Sequence, residues 1–341
     1  MSLISIFNNS KIESIYTSSP INKINNDFFL DFFSEEQIKK TIKMIGVESR
    51  FWANKNTTAM DLCIESAERM LNENNFDRND IDGLIFVSQT PNLRMPASSF
   101  IAHEILKLKK ECAVFDVNLG CSGYVYGLWL ANSLIKSGLK KILLLAGETP
   151  SKIINLNDPA TAFLFGDAGS STLIGNSDEK FESTFLINTD GSGASTITIP
   201  QGINGNYFDI KDLNDPSKLY MDGAKVFNFT IKEIPKIIQQ ACEKTGRAVS
   251  EWDYILLHQA NKFMLDHIYK KTNTPKNKQL INIQVFGNTS SVTLPLLLTD
   301  KAFDKSKENI MLVGFGVGLS WAAVGLKMNK EIILRHITYE S

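Results

Sequence analysis

Short apolar runs alternating with helical stretches constrain this chain more than any other feature. Residues 81–87, 112–117, 141–147, 252–257, 280–285 and 310–313 each read as a buried strand. Helical patterns lie between them at about 98–108, 122–135, 262–271 and 292–303. Strands alternating with helices make parallel sheets covered on both faces. The order also repeats. Strand, turn with Cys121, helix and strand 141–147 match strand 280–285, turn with Asn288, helix and strand 310–313, and 83–87 corresponds to 253–257. The expected fold class is α/β, a duplicated layered fold.

Other elements fill in around this frame. Residues 2–17 read as one or two strands, and 27–45 as helix ended by Gly46, followed by an extended link over 47–52. Thr57 or Thr58 caps a helix through 60–72. A long helical segment over 225–244 is interrupted by Pro235, and the last strand lies near 322–328.

The chain's 341 residues suffice for two compact halves. A net charge of −1 gives no electrostatic reason to expect nucleic acid or an anionic membrane as partner. No apolar run reaches membrane-spanning length. The four cysteines (63, 112, 121 and 242) show neither metal spacing nor a disulfide framework. With no secretory signal at the N-terminus, the expected setting is the cytoplasm, and no metal site is expected.

Four polar features sit at turns after apolar strands: Cys121, His258, Asn288 and the glycine-rich 314–318. In parallel sheets, sites gather beyond the carboxyl ends of the strands. Cys121 stands where a strand turns into an apolar helix, and free backbone N–H groups and the helix dipole there favour the thiolate. A buried structural cysteine is the other reading of that residue alone. His258 alone reads equally as a hydrogen-bonded histidine at a strand end, and Asn288 as turn chemistry. Gly314-Phe-Gly-Val-Gly318 lacks both the G-x-G-x-x-G pattern and the Lys-Ser/Thr of a P-loop.

Together, Cys121-Ser-Gly, His258-Gln-Ala-Asn, Gly287-Asn-Thr-Ser and Gly314-Phe-Gly-Val-Gly-Leu-Ser-Trp resemble the motif set of the ketoacyl-acyl-carrier-protein synthase III family, within the thiolase fold. The resemblance runs from about Gly46 to Met328. It implies five layers, α-β-α-β-α, in two thiolase-like halves: 1–176 carrying the nucleophilic cysteine and 177–341 carrying the histidine and asparagine. It also implies a homodimer, an acyl carrier protein as partner, and an acyltransferase of lipid metabolism, in fatty acid or specialised acyl-chain biosynthesis. No cofactor is implied beyond acyl thioesters on coenzyme A or carrier protein.

In the implied mechanism Cys121 takes an acyl group from a thioester, and the backbone N–H groups of Cys121 and of Val317 or Gly318 hold the carbonyl oxygen. His258 and Asn288 then stabilise the enolate formed when a malonyl thioester loses CO2, and its carbanion attacks the acyl-enzyme. The alternative is acyl transfer or thioester hydrolysis at the same cysteine without C–C bond formation. A hydroxymethylglutaryl-type condensation lacks a glutamate in the 88–96 loop.

Phe315 and Met95 are expected at the substrate pocket. Met95 aligns with the residue that closes the acyl pocket across the dimer, and its flexible side chain admits chains longer than acetyl. Lys262, Lys270 and Lys271 fall on the helix beside which this family docks its carrier. One departure stands out. In fatty-acid-priming members a Trp and two Arg hold the adenine of coenzyme A, and the matching positions here are Lys40, Met44 and Pro159.

Overall fold

The helix after Cys121 is α4 (Gly123–Lys136), and its composition decides where it can go. Tyr124, Val125, Leu128, Ala131 and Ile135 are buried, and Tyr126, Trp129, Leu130 and Leu134 pack against the same core. A helix apolar all round must lie between layers. In the computed structural model, which describes residues 2–210, 213 and 215–340, α4 is sandwiched between two sheets.

The first sheet has the order β17 (Ile333–Tyr339), β2 (Ser10–Pro20), β8 (Ala168–Asn176), β7 (Lys141–Glu148), β5 (Gly83–Val87), β6 (Ala113–Val117). The second runs β1 (Leu3–Phe7), β9 (Ser183–Thr189), β16 (Ser320–Lys327), β15 (Asn309–Gly316), β14 (Tyr254–Leu257). The helix α8 (Thr293–Leu298) joins α4 in the middle layer. The outer face of the first sheet is covered by α2 (Ala59–Glu73) and α3 (Ser98–Ile105). The outer face of the second is covered by α5 (Gly223–Thr245) and α6 (Lys262–Lys271). The five expected layers are present. Among the described residues no helix is long and apolar enough to cross a membrane.

Several local expectations hold. Thr58 closes a capping box on α2, and Gly46 is the left-handed cap of α1 (Glu35–Ile45), although α1 is shorter than the expected 27–45 because Ser34 caps it with a box of its own. The link after Gly46 contains β4 (Ser49–Phe51), paired with β3 (Lys23–Asn25). Two short ladders, β10 (Ile197–Thr198) with β13 (Tyr220–Met221) and β11 (Gln201–Gly202) with β12 (Gly205–Asn206), lie between β9 and α5.

Other expectations are corrected. The sheets are mixed: β5 pairs in parallel with β6 and β7, but β7–β8 and β15–β16 are antiparallel. The short turn between β15 and β16 leaves no room for a parallel crossover. Pro235 does not break α5. Residues 280–285 form no strand. Gln259 Oε1 accepts the Asn282 N–H at 3.2 Å, the Asn282 amide donates to Leu296 O, and a single helical turn, α7 (Ile283–Phe286), follows. A segment held by side chains has no ladder to join, so the second sheet ends at β14. The two halves also exchange edges: β17 pairs with β2 in the first sheet, and β1 with β9 in the second.

Candidate active site

The polar features singled out at strand ends border one cavity of about 410 Å³, walled by residues of both sheets. Cys121 enters it from the turn between β6 and α4, His258 from the end of β14, Asn288 from the turn after α7, and Phe315, Gly316 and Val317 from the end of β15. The remaining walls are mostly apolar, with Ile153, Leu164, Leu219, Met221 and Val226 among them.

Cys121 is packed under β15. A Cβ added at Gly316 would lie 2.6 Å from the Cys121 Cβ and 2.9 Å from its sulfur, so only glycine lets the thiol occupy this place. Burial above all, with the nearby charge of Glu148, pushes the thiol up to about 11. The Ser290 hydroxyl and the backbone N–H groups of Cys121 and Val317 act on the sulfur in the opposite sense. The thiolate expected from the helix terminus is therefore not the resting state, because loss of solvent around the sulfur outweighs the donors that face it. Val317 borders the cavity, whereas Gly318 does not.

His258 is 1% exposed, and its backbone N–H donates to Val313 O at 2.8 Å, anchoring the strand end. Its Nδ1 lies 2.7 Å from Thr293 Oγ1 at the start of α8. When that hydroxyl donates to Nδ1, the ring proton sits on Nε2, the neutral tautomer in which His258 can donate into the cavity. Burial lowers the imidazole to about 3, so His258 is neutral at working pH. The Phe315 ring stands edge-on to it, with centroids 5.4 Å apart.

The Asn288 amide is fixed by its own turn. Its Oδ1 accepts the Ser290 N–H at 2.9 Å, which commits the oxygen and turns the NH2 forward. Nδ2 makes one 3.4 Å contact to Ala260 O, leaving a second hydrogen. Gly287 shapes the turn, with φ of 67° and space for no Cβ, which would fall 2.7 Å from Leu164 O. Gly287→Ala should destabilise the fold by about 1–3 kcal/mol, measured by chemical denaturation, and displace the Asn288 amide.

Other expected site residues are not part of this cavity. Met95 is 84% exposed and does not line it, because the 91–97 loop carries the side chain outward within one chain. Lys262, Lys270 and Lys271 are exposed on α6, where Lys262 pairs with Asp266 at 2.6 Å and Lys271 donates to Ile231 O. At the mouth, Met44 borders the cavity, and Phe263 stacks on Phe227 with centroids 5.5 Å apart. Lys40 and Pro159 are exposed.

One cavity residue escaped sequence reasoning. Glu148, the last residue of β7, is 1% exposed and lines the site. The available signal was a carboxylate directly after seven residues of buried strand, at the strand end where sites gather.

Residues 115–193 match the family model for 3-oxoacyl-[acyl-carrier-protein] synthase III, and residues 242–328 match its C-terminal model. A putative 3-oxoacyl-[acyl-carrier-protein] synthase 3 of Campylobacter jejuni is 34% identical, with 97% of each chain covered. A beta-ketoacyl-[acyl-carrier-protein] synthase III of Clostridium perfringens is 32% identical over 94% of this chain and 99% of that one. The crystal structure of a 3-oxoacyl-(acyl-carrier protein) synthase from Burkholderia xenovorans superposes with a TM-score of 0.96 at 38% identity, with 99% of each chain covered. Likeness over nearly the whole chain, in fold and in sequence, places this protein in the 3-oxoacyl-[acyl-carrier-protein] synthase III family.

Proposed function

We propose that the protein condenses an acyl thioester with a malonyl thioester, losing CO2 and releasing a 3-oxoacyl thioester. The observation that carries this is the convergence of Cys121, a neutral His258 and the forward-turned Asn288 amide on one largely apolar cavity. Cys121 takes the acyl group, while its own N–H and that of Val317 hold the developing oxyanion. His258 and Asn288 then donate to the malonyl thioester oxygen as CO2 leaves. Neither is anionic, so neither repels the enolate.

The donor arrives on an acyl carrier protein. Met44, Phe227 and Phe263 give the mouth an apolar surface that suits pantetheine and acyl chain, while Lys40, Met44 and Pro159 form no clamp for adenine. Lys262, Lys270 and Lys271 offer positive charge beside that mouth to an acidic carrier. The protein acts as a homodimer in the cytoplasm, with Met95 closing the partner's acyl pocket, and needs no cofactor.

Incubation with acyl-carrier and malonyl-carrier thioesters tests this reading. The expected result is release of CO2 together with a product two carbons longer than the acyl donor. Free acid without chain extension would instead assign hydrolysis to Cys121.

A further inference from the structure

Glu148 has no part in the condensation just described, yet it is a fully enclosed carboxylate at the cavity wall. Its contacts are with neutral donors. The Gln89 N–H reaches Oε1 at 3.1 Å, the Thr90 hydroxyl reaches Oε2 at 2.8 Å, and the Ser290 hydroxyl reaches Oε1 at 3.4 Å. A buried carboxylate without a cation is costly to maintain.

The three donors differ in what else they touch. Thr90 Oγ1 accepts the Thr149 N–H at 2.9 Å, so its hydroxyl serves only to tie the loop after β5 to the end of β7. Ser290 stands between two reactive groups: its oxygen lies 3.9 Å from the Cys121 sulfur on one side and 3.4 Å from the Glu148 carboxylate on the other. Its backbone is held in place by the bond of its N–H to Asn288 Oδ1.

We propose that Ser290 and Glu148 form a proton relay that deprotonates Cys121 as it is acylated, Ser290 touching the sulfur and Glu148 acting through it as a positioning residue. The inference rests on the reading of Cys121 as the acyl acceptor. As the sulfur lone pair forms its bond to the thioester carbonyl carbon, the carbonyl π pair moves onto oxygen. The thiol proton passes to Ser290 Oγ while the Ser290 proton passes to Glu148. When the tetrahedral species collapses, the bond to the carrier's sulfur breaks, and the departing thiolate takes the proton back along the same path. A thiol and a thioester enter, an acyl-enzyme and a free thiol leave, and Glu148 returns to its charged form.

The electrostatics support the geometry. A thiol pushed up to about 11 is not ionised at neutral pH and needs a base at the moment of attack. Burial also raises Glu148, to about 8, which brings acceptor and donor closer together than a solvated pair would be. The titratable groups around Glu148 are Cys121 across Ser290, Asp167, whose charge raises it further, and Cys63 on α2, which feels its charge in turn.

Iodoacetamide alkylation of Cys121, followed by mass on its own peptide from about pH 6 to about pH 10, tests the relay without any acyl carrier. Failure of the relay is thereby distinct from failure of the condensation reading. In the unaltered protein the rate should climb through about 8 as Glu148 ionises. Glu148→Gln keeps the size of the side chain and one acceptor oxygen for the Gln89 N–H but takes no proton. It should alkylate on the order of 10²-fold more slowly at neutral pH, with its rise displaced towards the thiol's own range. Ser290→Ala should reproduce that profile, and the double variant should add nothing to either. Glu148→Asp should keep the rise at a reduced rate. Unaltered rate and profile in Glu148→Gln, or multiplying effects in the double variant, would overturn the relay. If Glu148→Gln does not fold, Ser290→Ala decides alone by keeping or losing the rise near 8.

Discussion

Cys121→Ala should abolish the acyl-enzyme and lower condensation by on the order of 10⁴-fold or more, while CO2 release from a malonyl thioester stays measurable. Of the four free thiols, only Cys121 borders the cavity. Cys63 is fully buried in another cluster and pushed up to about 12, so it offers no substitute nucleophile. Alanine leaves the Gly316 contact and the backbone N–H groups in place, so the site keeps its shape and loses only the sulfur. Decarboxylation needs the enolate oxygen held, and His258 and Asn288 remain. Intact-mass spectrometry checks the first part and CO2 release the second. An acyl adduct that persists in the variant would refute Cys121 as its site.

Asn288→Ala should produce the opposite split. The acyl-enzyme should form at close to the normal rate, while CO2 release and product formation fall by about 10²–10³-fold, the usual cost of one preorganised oxyanion donor. The Ser290 N–H then loses its acceptor on Asn288, so thermal stability is to be measured beside activity. Asn288→Asp should do no better, since a carboxylate repels the enolate it replaces a donor for. The partner donor sets the pH dependence. Burial holds His258 near 3, below its solvated value, so it stays neutral as pH falls through 6.5. The CO2-release rate should therefore show no inflection near 6.5, and a histidine-type limb there would contradict a neutral His258.

Much of the site was legible because its members are set by local rules. An apolar run that ends in polar or glycine residues marks a strand end in an α/β protein, as it does for the turn before Cys121 and for His258 at the end of β14. Element types followed the same logic for α2 and α6, whose capping residues and apolar faces are contiguous in sequence, and for α4, which is apolar throughout. Residues 280–285 misled for a reason of the same kind. Their apolar content is right for a strand, but Gln259 and Asn282 replace the ladder with side-chain hydrogen bonds. β17 follows what read as a final strand, and its place against β2 depends on a pairing across nearly the whole chain.

By itself the sequence determined most of the alternation of strands and helices, because periodicity and turn chemistry act over a few neighbouring residues, while its motifs, through their resemblance to a known family, singled out Cys121, His258 and Asn288. Only the tertiary structure decided the exchange of edge strands, the cavity and the place of Glu148. These depend on contacts between distant residues: Ser290 lies 169 positions from Cys121 and 142 from Glu148. The charge states were decided there too. The turn before a helix predicts a thiolate, but the pKa of Cys121 follows the solvent excluded by everything packed around it.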